Sequence, residues 1–127
     1  MLDGKKDPFG YQLVGNDSVL IINFSGSLHS GSLSTLDEIT EALNSKSSLQ
    51  AVILNFTQVE TLAFEAIPRF AQFLKVIRGK PAELRICSLK LPLKERLGRS
   101  GILRSSEITE TTKDAIYSLA GNKQKVA

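Results

Sequence analysis

Few residues in this sequence could do chemistry: one histidine, one cysteine and a scatter of carboxylates and serines. His29 lies in Ser25-Gly26-Ser27-Leu28-His29-Ser30-Gly31-Ser32, where a hydroxyl beside an imidazole could supply a nucleophile and its base. No acid stands nearby to orient the imidazole, so the segment reads as a small polar loop whose serines cap the next helix. Gly26 and Gly31 do not open a phosphate loop, because no Gly-Lys-Ser/Thr follows them, and turn geometry accounts for both. Cys87 sits in an apolar run, cannot form an internal disulfide and has no companions for a metal site, so it reads as a core residue. No catalytic residue, cofactor or metal ligand is assigned.

Glu65 is the carboxylate with the most informative position. Residues 51–56 (AVILNF) form an almost unbroken apolar run of strand length, as expected of a strand covered on both faces. Residues 55–60 read as a turn region. Ile67, Phe70, Ala71, Leu74 and Ile77 then recur at helical spacing, with Glu65, Arg69, Gln72 and Lys75 on the other side. Pro68 is tolerated only in a first turn, which predicts a helix starting near Phe64 or Glu65. A carboxylate there meets unpaired backbone N–H groups and the positive end of the helix dipole, and Arg69 is its i,i+4 partner. That reading makes Glu65 a helix-start residue and nothing more.

The elements that must position these residues follow from the same patterning. Residues 11–14 and 19–24 are β-rich and flank Gly15-Asn16-Asp17-Ser18, which predicts a hairpin. Leu33, Leu36, Ile39 and Leu43 mark a helix with its acidic face outward. After the 51–78 unit, Gly79-Lys80-Pro81 ends the helix and residues 84–89 form a strand. Pro92 opens a short helix over 93–99, residues 107–109 suit an edge strand, and Thr111-Thr112-Lys113-Asp114 resembles a capping box. The last helix is expected to reach Ala120, with Ala115, Ile116, Leu119 and Ala120 inward. The fold class is α/β: a mixed central sheet of four to five strands with about four α-helices packed on it.

At 127 residues the chain is long enough for one core and too short for two. The expected layout is a flexible N-terminal tail over 1–8, a single domain over 9–120 and a flexible C-terminal tail over 121–127. No apolar run approaches the roughly 20 residues a membrane span needs, and the first ten residues lack the apolar core of a signal peptide, so no membrane insertion and a cytoplasmic location are expected. The net charge of +3 conceals an asymmetry. Residues 1–74 carry four basic and eight acidic side chains, whereas residues 75–104 carry nine and two. A basic stripe of that kind attracts anions, but no aromatic interrupts 75–80 or 90–104 to stack on bases. Specific nucleic-acid binding is not expected, and solvated surface is the default reading. The first hairpin, Phe24 and Phe56 fit either an edge-strand homodimer or ordinary core.

The element order, Gly26-Ser27-Leu28-His29 after an apolar strand, Val52-Ile53-Leu54-Asn55-Phe56 running to a helix start at 63–67, and Cys87-Ser88-Leu89 … Leu97 … Ser100-Gly101-Ile102 together resemble STAS domains. These are the domains of bacterial anti-sigma-factor antagonists and of the cytoplasmic ends of sulfate transporters. The resemblance covers roughly residues 9–120 and implies a STAS-like sandwich. In the antagonists the helix start reads Asp-Ser-Ser-Gly-Leu or similar, and a serine or threonine there is phosphorylated by an anti-sigma factor that is a kinase. The matching stretch is Ala63-Phe64-Glu65-Ala66-Ile67, so Glu65 stands at the phosphoacceptor position and the acceptor is missing. A carboxylate imitates phosphoserine only in part, with less charge and fewer acceptor oxygens. The resemblance implies a non-enzymatic, protein-binding regulatory module with partner-binding residues Ser27, His29, Ser30, Phe64, Glu65, Arg69 and Gln72. Its partner would be an anti-sigma factor or serine kinase, or another regulatory protein. Two alternatives stay open: an accessory subunit of a lipid or anion transport system, and a nucleotide- or anion-binding regulatory domain.

Overall fold

The structure is a computed structural model and describes residues 9–29, 31 and 33–126, except the side chains of Leu33 and residues 120–126. Five strands form one sheet in the order β1-β2-β3-β4-β5. These are β1 (Gly10–Gly15), β2 (Val19–Leu28), β3 (Ala51–Leu62), β4 (Glu83–Cys87) and β5 (Ile108–Thr109). The helices are α1 (Leu33–Asn44), α2 (Ile67–Arg78), α3 (Leu91–Arg99) and α4 (Thr112–Val126). β1 and β2 are the expected antiparallel hairpin, and every later pairing is parallel.

Asn16 makes the hairpin turn, its Oδ1 accepting the Ser18 and Val19 N–H groups at 2.9 Å each. Gly15 is required beside it: φ is +126°, and a Cβ there would lie 2.2 Å from the Val19 carbonyl oxygen. Along β2 every second residue from Leu20 to Leu28 faces the core, an alternation that continues through Ser25-Gly26-Ser27. The structure therefore corrects the loop expected over 25–32, because residues 25–28 are strand. Likewise 55–60 is no turn region, since β3 continues to Leu62 and pairs with β2 throughout. Register shifts between Asn23 and Ser25 and between Gly26 and Ser27 allow this, and Gly26 takes φ +87°. The bulges break the alternation that identifies a strand in the sequence, and β3 buries only Val59 and Leu62 beyond Phe56.

One sheet face carries the main core, where Leu20, Ile22, Phe24, Val52, Leu54 and Phe56 meet Leu36, Ile39 and Leu43 of α1 and Phe70, Phe73, Leu74 and Ile77 of α2. Phe24, Phe56, Phe70 and Phe73 form a continuous aromatic contact with centroids 5.3 to 6.4 Å apart. The other face is covered by α4, and its buried cluster is small: Ile53, Cys87 and Ala115. Cys87 is buried as expected. Thr111 Oγ1 accepts the Asp114 N–H at 3.0 Å and starts α4, but Ile116 is exposed, not inward. The helix offers only a narrow stripe to a half-covered face. It continues to Val126, past the expected end at Ala120.

Candidate functional site at the β3–α2 turn

β2 and β3 end side by side, Ser27 opposite Thr61 and Leu28 opposite Leu62. The Ala63 N–H then donates to the Leu28 carbonyl at 2.8 Å, tying the start of the turn to the end of β2. Phe64–Ala66 form one 3-10 turn, and the α-helix begins at Ile67 with Pro68 in its first turn. The expected helix start at Phe64 or Glu65 is corrected accordingly. Ala66 is buried and anchors the turn from below, which leaves its two preceding side chains outside. Phe64 is 75% exposed and Glu65 is exposed beside it.

Of the residues singled out in the sequence, the fold brings Ser27 and His29 to one end of the sheet with Phe64 and Glu65. His29 is half-buried, and its Nδ1 accepts the Gly31 N–H at 3.0 Å, which shapes the loop leading to α1. Ser30 lies outside the described residues. Arg69 does not pair with Glu65. Its Nη2 donates to Asp37 of α1, because the 3-10 turn breaks the α-helical spacing an i,i+4 pair needs and Asp37 lies directly across. Arg69 and Gln72 instead line the groove between α1 and α2, a space of about 540 Å3 that also meets Asp37, Phe73 and Val76.

The basic stripe is partly structural. β4 stops opposite Asn55, so the later residues of β3 have no strand on that side. Lys90 Nζ donates to the Val59 carbonyl at 2.9 Å, and Arg96 Nη1 donates to the Leu62 carbonyl at 2.7 Å. Two cations at the start and middle of α3 thus satisfy a bare strand edge immediately before the Phe64–Ala66 turn. Sequence reasoning missed both, since partners 31 and 34 residues apart leave no local signal. Among the described residues no group of three His, Cys, Asp or Glu side chains could hold a metal. The arrangement offers an exposed ring and a carboxylate on a braced turn, which suits recognition.

The STAS domain family matches residues 11–115, most of the described chain. The chain belongs to the STAS family. The STAS fold is shared with the anti-sigma factor antagonist SpoIIAA in its unphosphorylated form, at 14% identity and TM-score 0.68, over 88% of this chain and 97% of that one. An anti-sigma factor antagonist from Mycobacterium paratuberculosis is similar at 17% identity and TM-score 0.71, over 88% and 94%. The murine Slc26a9 anion transporter is similar at 13% identity and TM-score 0.72, over 82% of this chain but only 18% of that one. No curated protein sequence matches the chain. Among the described residues no helix is long and apolar enough to cross a membrane.

Proposed function

We propose that this STAS domain is a non-catalytic, cytoplasmic regulatory module whose protein partner docks on the end of β2 and the Phe64–Ala66 turn. The observation that carries the reading is Phe64, a large ring held three-quarters exposed on a turn that buried Ala66 and the Ala63–Leu28 hydrogen bond keep fixed. Exposed aromatics on rigid supports serve as anchors at protein interfaces. Ser27, His29 and Glu65 flank that anchor in the proposal, with Arg69 and Gln72 extending the surface into the α1–α2 groove. Glu65 takes the position at which antagonists of this family carry their phosphoacceptor, and SpoIIAA is known in both phosphorylated and unphosphorylated forms. A fixed carboxylate gives this chain a constant negative charge where a relative's charge is switched.

The partner is an anti-sigma factor or serine kinase, or another regulatory protein; the likeness to transporter STAS domains makes an anion transport system the competing class. Affinity purification from native lysate, followed by reconstitution with the purified partner, separates these classes. Glu65→Ser and Glu65→Gln then test the turn: both are expected to change partner affinity, and Glu65→Ser to accept phosphate from a kinase partner. Unchanged affinity in both variants, with an unaltered Tm, would show that Glu65 is an ordinary surface residue.

A further inference from the structure

At the far end of α2 from Glu65, about 18 Å along a 12-residue helix, the sheet leaves a polar cavity of about 650 Å3. It exists because β5 is only two residues long. β5 pairs with Ile86 and Cys87 alone, so β4 is bare at Leu84. Three arginines from separate elements line the opening: Arg78 at the end of α2, Arg85 on β4 and Arg104 before β5. They come from the basic stripe that the partner surface does not use.

The three are not equivalent. Arg78 is committed, its Nε and Nη2 gripping both Glu107 carboxylate oxygens at 3.0 and 2.7 Å while Nη2 also reaches the Ile102 carbonyl. Arg85 is more than nine-tenths buried. Its Nε donates to Ser118 Oγ at 2.9 Å, and its Nη1 donates to Glu83 at 3.1 Å and to the Leu84 carbonyl at 3.0 Å. Its Nη2 makes no hydrogen bond to a described residue. No buried side-chain nitrogen among the described residues lacks a partner, so Nη2 keeps some access to solvent, and Arg85 is one of the residues lining this cavity. Arg104 stands exposed on the rim and forms no ion pair with a described residue. Three guanidiniums against the carboxylates of Glu83 and Glu107 leave one positive charge in excess.

We propose that this cavity binds the phosphate group of a small anion. Arg85 Nη2 donates from the floor and Arg104 from the rim, with the Ser106 hydroxyl between them as a neutral donor. A buried guanidinium held by three protein acceptors presents its remaining N–H groups in a fixed direction, which is what oxyanion recognition needs. The volume falls within the range of small-molecule sites and exceeds what a free ion fills.

The test is an NMR titration of the 15N-labelled full chain with inorganic phosphate, against chloride at matched ionic strength. A second arm uses glycerol 3-phosphate. Saturable shifts confined to the Leu84, Arg85 and Ser106 amides, complete below about 5 mM, are expected. Tighter binding of the ester identifies a phosphorylated small molecule as ligand, and equal binding identifies phosphate itself. Arg104→Gln, at an exposed position that folding does not need, should weaken binding by about tenfold, the worth of one charged hydrogen bond. Arg85→Lys should weaken it at least as much. Shifts that chloride reproduces, that never saturate, or that Arg104→Gln leaves unchanged would overturn the proposal.

Discussion

Replacing Phe64 with alanine separates docking from folding. Phenylalanine has roughly 200 Å2 of side-chain surface to bury. With Phe64 75% exposed, about 50 Å2 is covered, which at about 25 cal/mol per Å2 is worth ~1 kcal/mol. Phe64→Ala should therefore lower stability by about 1 kcal/mol or less. Phe70, fully buried between Phe56 and Phe73, is the control, and Phe70→Ala should cost about 3–5 kcal/mol. An anchor ring at an interface is worth about 2 kcal/mol or more, so Phe64→Ala should raise the partner Kd by about thirtyfold. Urea unfolding and titration calorimetry with the purified partner measure the two quantities on the same protein. Retained affinity in a Phe64→Ala protein of near wild-type stability would refute the docking surface. A stability loss near that of Phe70→Ala would show instead that the ring is part of the core.

Three further outcomes follow from contacts elsewhere in the fold. Glu107→Ala leaves the Arg78 guanidinium, only 16% exposed, without its bidentate partner, and should cost about 3 kcal/mol in urea unfolding; a loss below about 1 kcal/mol would mean that water replaces the carboxylate. Replacing Lys90 and Arg96 together with methionine should cost about 1–2 kcal/mol, because the Val59 and Leu62 carbonyls lose their donors. Lys94→Met, at an exposed position, should stay within about 0.5 kcal/mol. The Tyr11 hydroxyl is raised above its ordinary value of 10.0 by desolvation first, and then by its hydrogen bond to Glu38 and that carboxylate's charge. The folded state thus favours the neutral phenol, a contribution present below pH 10 and lost as pH rises through the folded value. Tyr11→Phe should flatten the alkaline limb of Tm against pH, and an unchanged limb would contradict it.

Much of the scaffold was legible because burial and turn chemistry are written locally. Leu36, Ile39 and Leu43 give α1 by spacing alone, and all three are fully buried. Asn16 after Gly15 gives the hairpin, and Pro68 fixes the first turn of α2 to within three residues. The candidate site was half legible. Glu65 and Phe64 were visible as the approach to a helix, but their exposure depends on Ala66 being drawn under them. The ends of β2 and β3 were lost because serine and glycine alternate with each other at the end of β2 and the register shifts break the apolar alternation of β3, whereas pairing between the two strands, which local sequence does not show, keeps residues 25–28 and 57–62 extended.

Local sequence determined the α/β class, the order of elements and the small stock of reactive groups, since each depends on periodicity, turn residues or composition. Tertiary structure decided where the charges go. Arg69 turned to Asp37 on α1, Lys90 and Arg96 to bare carbonyls of β3, and Arg78 to Glu107. A charged side chain is long, and its position in sequence fixes only the root. Its partner is whichever unsatisfied group the packed chain leaves within reach, and in a sheet whose fourth strand stops early, two of those groups are the Val59 and Leu62 carbonyls on the open edge of β3.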